Sequence, residues 1–173
     1  MTITDPPTKI LPVAMKGAPV LRQRATPYDG IDNDARDLAH NMLATLKMAN
    51  GIGLAANQVG VAKRLIVIDI RGHKDIDTAL YSDRAEQDVD QLMPMMLFNP
   101  EITLSGSRVI KVEGCLSQPG VSGRVERYMT VSVECQDLFG NAMRFGARGM
   151  LARVIQHEVD HLNGILFTDR LVK

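Results

Sequence analysis

The order of periodic segments predicts an α+β fold, in which antiparallel or mixed strands pack around a C-terminal helix and one further helix lies near the N-terminus. Three observations carry this reading. A helical apolar period runs over about residues 33–49, short β-branched runs follow between residues 65 and 135, and a second helical period covers about residues 149–163. The regular strand-helix alternation that a parallel sheet requires is absent from this order.

The opening is loop-like, with prolines at 6, 7, 12 and 19, before Asp29-Gly30-Ile31-Asp32-Asn33 supplies turn and capping chemistry. Leu38, Met42, Leu43 and Leu46 then recur at helical spacing, and Gly51 and Gly53 terminate the helix. After Gly60, the nearly unbroken apolar run Leu65-Ile66-Val67-Ile68-Asp69-Ile70 reads as a buried strand. Residues 71–91 are polar and aspartate-rich without a clean period, which predicts a long surface excursion carrying at most a short helix. Short β segments are expected around Leu97-Phe98, Ile102-Leu104, Val109-Val112 and Val131-Cys135, the last alternating as a strand with one wet face does. A turn at Phe139-Gly140-Asn141 precedes the final helix, from about Gly149 to Asn163, which Gly164 stops.

With 173 residues, 45% of them hydrophobic, the chain can fill one sizeable core, so a single domain spanning 1–173 is expected. Twenty basic side chains balance twenty acidic ones, which excludes the long-range positive field of a nucleic-acid or anionic-membrane binder. No apolar run approaches the ~20 residues of a membrane-spanning helix. The first residues resemble neither a secretory signal nor a transit peptide, so a cytoplasmic location is expected, with Cys115 and Cys135 both reduced.

The chemistry concentrates in Gln156-His157-Glu158-Val159-Asp160-His161. Two histidines four residues apart on a helix share one face, about 6 Å apart along the axis, and can hold one cation between them. Glu158 lies about 100° around the axis from His157, beside that face, where it can touch a water on the cation better than it can chelate. A catalytic site of this kind needs three protein ligands and an open position. His40, on the first helix, and His73, in the excursion, read as solvated or satisfied side chains. Cys135 shares strand phase with Val131 and Val133 and points to the core, whereas Cys115, between a strand and a Pro-Gly turn, is the better third ligand.

Three separated segments now resemble the motifs of the peptide deformylase family: Gly51-Ile52-Gly53-Leu54-Ala55-Ala56-Asn57-Gln58, Glu113-Gly114-Cys115-Leu116-Ser117, and the His157–His161 segment itself. The likeness extends from about Pro19 to Phe167. It implies a hydrolase that removes the formyl group from the N-terminal formyl-methionine of nascent polypeptides and releases formate. It further implies that Cys115, His157 and His161 bind one divalent ion, Fe2+ natively, with Zn2+, Ni2+ or Co2+ as substitutes. In that family pattern Glu158 is the general acid/base, and the Gln58 amide and the backbone N–H of Leu116 stabilise the oxyanion. Helical spacing adds Val154 and Met150, three and seven residues before His157, as candidates for an apolar methionine slot, together with Ile52 of the first motif. Gly53 and Gly114, from the first and second motifs, complete the substrate-binding candidates.

Asn57 departs from the proline or threonine that many members carry, and the excursion matches no motif. A transient ribosome contact fits the implied substrate, although only 12 residues follow His161, where some bacterial members carry a further docking helix. Two rival readings stand beside the resemblance: another metal-dependent hydrolase such as a peptidase, and a non-catalytic module that binds peptide ends or stores metal. The cysteine in a Gly-Cys-Leu turn argues against the first, and the presence of both Glu158 and Gln58 against the second.

Overall fold

Asp32 starts the first helix by accepting a hydrogen bond from the N–H of Ala35 at 2.9 Å, and α1 runs over Asn33–Met48, close to the expected bounds. The computed structural model of the chain describes residues 8–82 and 85–173. Its strands are β1 (Gly53–Ala55), β2 (Leu65–Ile68), β3 (Ala79–Ser82), β4 (Ala85–Gln87), β5 (Met95–Cys115), β6 (Gln118–Gln136) and β7 (Ala142–Arg148). A short helix α2 (Val89–Leu92) precedes β5, and α3 (Gly149–Leu162) follows β7 without a loop. The strands form one sheet in the order β1-β2-β5-β6-β7-β3-β4, and each of these pairings is antiparallel.

Three elements differ from the sequence reading. The runs expected separately at 97–98, 102–104 and 109–112 are one strand, because Gly106, at φ 78°, and a register shift between Ser105 and Arg108 bulge β5 instead of turning it. β7 has only a weak local signal, since its alternation of Phe145 and Ala147 inward is short and holds Gly146 between them; the partner strand β6 supplies what local propensity does not. The excursion is more than a surface loop. It folds into β3 and β4, and β3 pairs with β7 through Ala79↔Arg148 and Tyr81↔Gly146, burying Leu80 and Val89 in the core.

One apolar cluster lies between the sheet and α3, where Leu151, Ala152, Ile155, Val159 and Leu162 meet Ile66, Ile68, Val131, Val133 and Cys135. A second gathers Met42 and Leu46 of α1 against Leu54, Leu65, Val67 and Phe98. Burying each of the larger side chains contributes about 1.5–3 kcal/mol. The two clusters sit on opposite faces of β2, whose four residues are all buried, so the run read as a buried strand is one, covered on both faces. Cys135 is buried beside Val131 and Val133, as its strand phase predicts, and burial together with the nearby Asp137 charge pushes its thiol up to about 12.

The junction of β7 and α3 depends on one glycine. Gly149 has φ 63°, and a Cβ there would lie 2.5 Å from the Asp77 carbonyl carbon and 2.6 Å from the Thr78 nitrogen. The excursion therefore rests on the first turn of α3, where both the Asp75 carboxylate (3.2 Å) and the Thr78 hydroxyl (3.3 Å) accept from the Met150 N–H. Gly149→Ala is expected to lower stability by about 2–4 kcal/mol, through left-handed strain plus a backbone collision, read as a shifted denaturant midpoint. An unchanged midpoint would mean that the excursion is not seated on α3.

Candidate metal centre

The long β5–β6 hairpin turns at residues 115–118, and this turn carries Cys115 to the face of α3 that bears the two histidines. There the helical spacing has set His157 and His161 edge to face, with ring centroids 5.0 Å apart. Cys115 Sγ lies 3.2 Å from His161 Nε2, and one donor atom from each of Cys115, His157 and His161 falls within 4.8 Å of the others. His157 is oriented by Glu113, whose Oε2 is 2.9 Å from its Nδ1, so its Nε2 is the nitrogen left to face the cluster. A soft sulfur and two imidazole nitrogens at this spacing suit a transition-metal or zinc ion.

Cys115 and His157 of this cluster line a cleft of about 480 Å³. Gln58, Leu116 and Glu158 line it with Cys115 and His157, as do Ile52, Gly53, Gly114, Met150 and Val154. His161 stands behind the cleft, almost fully buried. The sequence-derived residues are thus brought to one place, while His40 on α1 and His73 in the excursion stand outside this cluster.

Gln58 belongs to a 3-10 turn, Ala56–Val59, directly after β1. Its Oε1 accepts from the Ala55 N–H at 2.9 Å, which obliges its Nε2 to point toward Cys115 Sγ (3.4 Å) and Ser117 Oγ (3.2 Å). The amide therefore presents N–H bonds to the cluster. Asn57 beside it donates to the carbonyls of Val20 and Gln23, a structural use that explains how this position tolerates a residue other than proline or threonine. Gly53 is required by close approach, since a Cβ would strike the Glu158 carboxylate and come within 2.8 Å of Val154 Cγ1.

Burial pushes the Glu158 carboxyl up to about 7, and its Oε2 has no hydrogen-bond partner among the described residues. A buried carboxylate oxygen left open beside three ligand atoms fits a site that receives a water and a substrate. Burial also lowers His161, to about 3, with the His157 and Arg127 charges adding to the effect, so its imidazole is neutral and ready to ligate. For His157 burial acts downward too, but contacts with Cys115 and Glu113 prevail and hold it at about 10. His157 would give up that proton on holding a cation.

Sequence reasoning passed over the groups that hold these ligands. Glu113 receives two 2.9 Å hydrogen bonds from Arg127 of β6, and Arg127 also donates to Asp160 of α3, which Arg170 grips through both oxygens at 2.6 and 2.7 Å. Burial would raise Glu113, yet Arg127 and His157 hold its carboxyl down at about 2. A signal did exist: Glu113 stands two residues before Cys115, on the same strand face, and Asp160 stands one turn beyond His157. Gln156 ties helix to hairpin as well, exchanging hydrogen bonds with both the N–H and the carbonyl of Tyr128.

An α+β scaffold that closes a Cys-His-His donor set under a cleft, with a carboxylate at its side, has the make-up of a hydrolytic metal site. Residues 10–173 match the model of the polypeptide deformylase family. The peptide deformylase of Thermomicrobium roseum is 42% identical over 159 residues, covering 92% of this chain and 84% of that one. That of Opitutus terrae is 44% identical over 157 residues, 90% and 81% of the two chains. The crystal structure of peptide deformylase from Thermotoga maritima superposes with a TM-score of 0.81 at 32% identity, over 95% of this chain and 99% of that one. The Synechococcus elongatus enzyme, in complex with actinonin, gives 0.79 at 41% identity over 100% and 83%. The chain belongs to the polypeptide deformylase family.

Glu113→Gln keeps the shape of the His157 partner but removes the charge that Arg127 neutralises. Metal affinity is expected to fall about ten- to hundredfold, read by competition with a chelator. Equal affinity in the two proteins would show that Glu113 does not tune the centre.

Proposed function

We propose that the chain removes the formyl group from the formyl-methionine that begins nascent polypeptides, through one catalytic domain spanning residues 1–173. The observation that carries this reading is the convergence of Cys115, His157 and His161 under a cleft that also holds Glu158 and the inward-facing amide of Gln58. A divalent cation held by the Cys115 thiolate and the two imidazoles would supply Lewis-acid polarisation and make water acidic enough to attack.

The chain's own residues account for the remaining steps. Glu158, with its carboxyl near 7, accepts a proton from the water whose oxygen bonds to the formyl carbon. The charge that develops on the formyl oxygen is met by Gln58 Nε2 and the Leu116 N–H. As the C–N bond breaks, Glu158 returns the proton to the leaving nitrogen, so the products are formate and a free amino terminus. A neutral amide suits position 58, since a carboxylate there would repel the oxyanion. Ile52, Met150 and Val154 form the apolar slot for the methionine side chain, with Gly53 and Gly114 letting the substrate backbone approach.

Ferrous iron is the proposed resident ion, with zinc, nickel and cobalt able to occupy the same soft donor set. The substrate places the reaction in the cytoplasm, beside the ribosome, with a transient contact there. Among the described residues no helix is long and apolar enough to cross a membrane. Formate release from formyl-Met-Ala, with no cleavage of Met-Ala or of an internal peptide bond, tests the assignment against a peptidase. Metal content without turnover would instead favour a binding module.

Glu158→Gln should abolish formate release while metal analysis still finds the ion, because the carboxylate handles protons and is not among the three ligands. Loss of the ion in that variant would reassign Glu158 to the ligand set. Gln58→Leu should cut turnover by ~10²–10³ with a much smaller effect on substrate affinity. Turnover equal to that of the parent chain places Gln58 outside the oxyanion site. Protein purified without oxygen should contain iron and lose activity on aeration, whereas the nickel-reconstituted form persists. An iron form that survives prolonged aeration contradicts an oxygen-labile centre.

A further inference from the structure

Arg153 lies four residues before His157, one helical turn up the same face of α3, and lines the cleft beside Met150 and Val154. Its side chain is only 11% exposed, yet its guanidinium is weakly held. Nη1 reaches Asp75 Oδ2 at 3.5 Å, Nη2 reaches the thioether Sδ of Met150 at 3.6 Å, and Nε is buried with no partner among the described residues. A buried cation with five N–H donors and two long contacts is costly unless a further acceptor completes it. The slot proposed for the substrate methionine opens at this level of the helix, and the contact that Nη2 already makes is to a thioether.

We infer that Arg153 is a specificity-determining residue of the methionine slot, its guanidinium donating to the thioether sulfur of the substrate's first residue. Asp75, from the excursion, keeps the guanidinium at the wall of the slot. Its Oδ1 is fixed by the Thr78 hydroxyl (2.6 Å) and the Met150 N–H (3.2 Å), which leaves Oδ2 turned to Arg153. The excursion thereby gains a role in selectivity. A slot lined only by Ile52, Met150 and Val154 would treat methionine and its CH₂ isostere norleucine alike. A cation at its wall favours the side chain that carries an acceptor.

This inference rests on the deformylase reading, and three substrates separate the two: formyl-Met-Ala, formyl-norleucyl-Ala and formyl-methionine sulfoxide-Ala. The iron- or nickel-loaded full chain should prefer methionine to norleucine by about fivefold in kcat/KM, and Arg153→Leu should bring that ratio to about one. The sulfoxide is a stronger acceptor, so Arg153→Leu should cost it about tenfold more than it costs formyl-Met-Ala. Arg153→Gln keeps a neutral donor and should give intermediate ratios, and it serves as the readout if the leucine variant melts early or loses metal. Ratios identical to those of the parent chain, or a uniform fall for all three substrates, would overturn the inference while leaving the deformylase assignment standing. Failure of the parent chain to release formate from any of them would sink both.

Discussion

The Glu113-Arg127-Asp160 ion network is the interaction on which the rest of the site depends. Cys115 is delivered by a hairpin tip, and the two histidines by a helix that begins 34 residues later in the chain. Nothing local fixes the distance between these elements. Glu113 of β5, Arg127 of β6 and Asp160 of α3 pin them together, with side chains 9%, 4% and 10% exposed, and Glu113 carries the constraint directly onto the His157 ring. Removing one partner from a buried pair of this kind costs about 3–5 kcal/mol, because the survivor is left charged and desolvated. The network is worth less as net stability than as geometry: only one placement of hairpin on helix satisfies all of its hydrogen bonds.

Burial around the cluster sets the chemistry as well as the shape. Glu158 and His161 share one dry region, yet burial moves the carboxyl up and the imidazole down, so that a group able to exchange protons near neutrality stands beside a neutral ligand. Glu113, less deeply buried, goes the other way because Arg127 and His157 contact it directly. Three ionisable groups, two from one turn of α3 and one from β5, thus titrate differently according to their surroundings.

The excursion shows how a segment without motif or period acquires a place. Its strands extend the sheet past β7, its Asp75 and Thr78 meet the first turn of α3, and Gly149 supplies the gap through which they approach. Helix α3 is therefore held at its start by the excursion and at its centre and end by Gln156 and Asp160.

Much of this was legible in the residues themselves. The i,i+4 histidines with Glu158 between them, the turn cysteine, both long helices, the buried run at Leu65 and the inward phase of Cys135 follow from periods of 3.6 and 2 that a chain cannot hide. What the sequence could not determine by itself was the partnership of distant elements. That the segments at 97–112 form one bulged strand, that β7 exists, that an aspartate-rich stretch adds two strands, and that Arg127 joins Glu113 and Asp160 across 14 and 33 residues were settled only by the tertiary structure. The physical reason is that strand pairing and buried ion pairs draw their free energy from contacts between segments far apart in the chain, whereas helical periodicity is written into neighbouring residues.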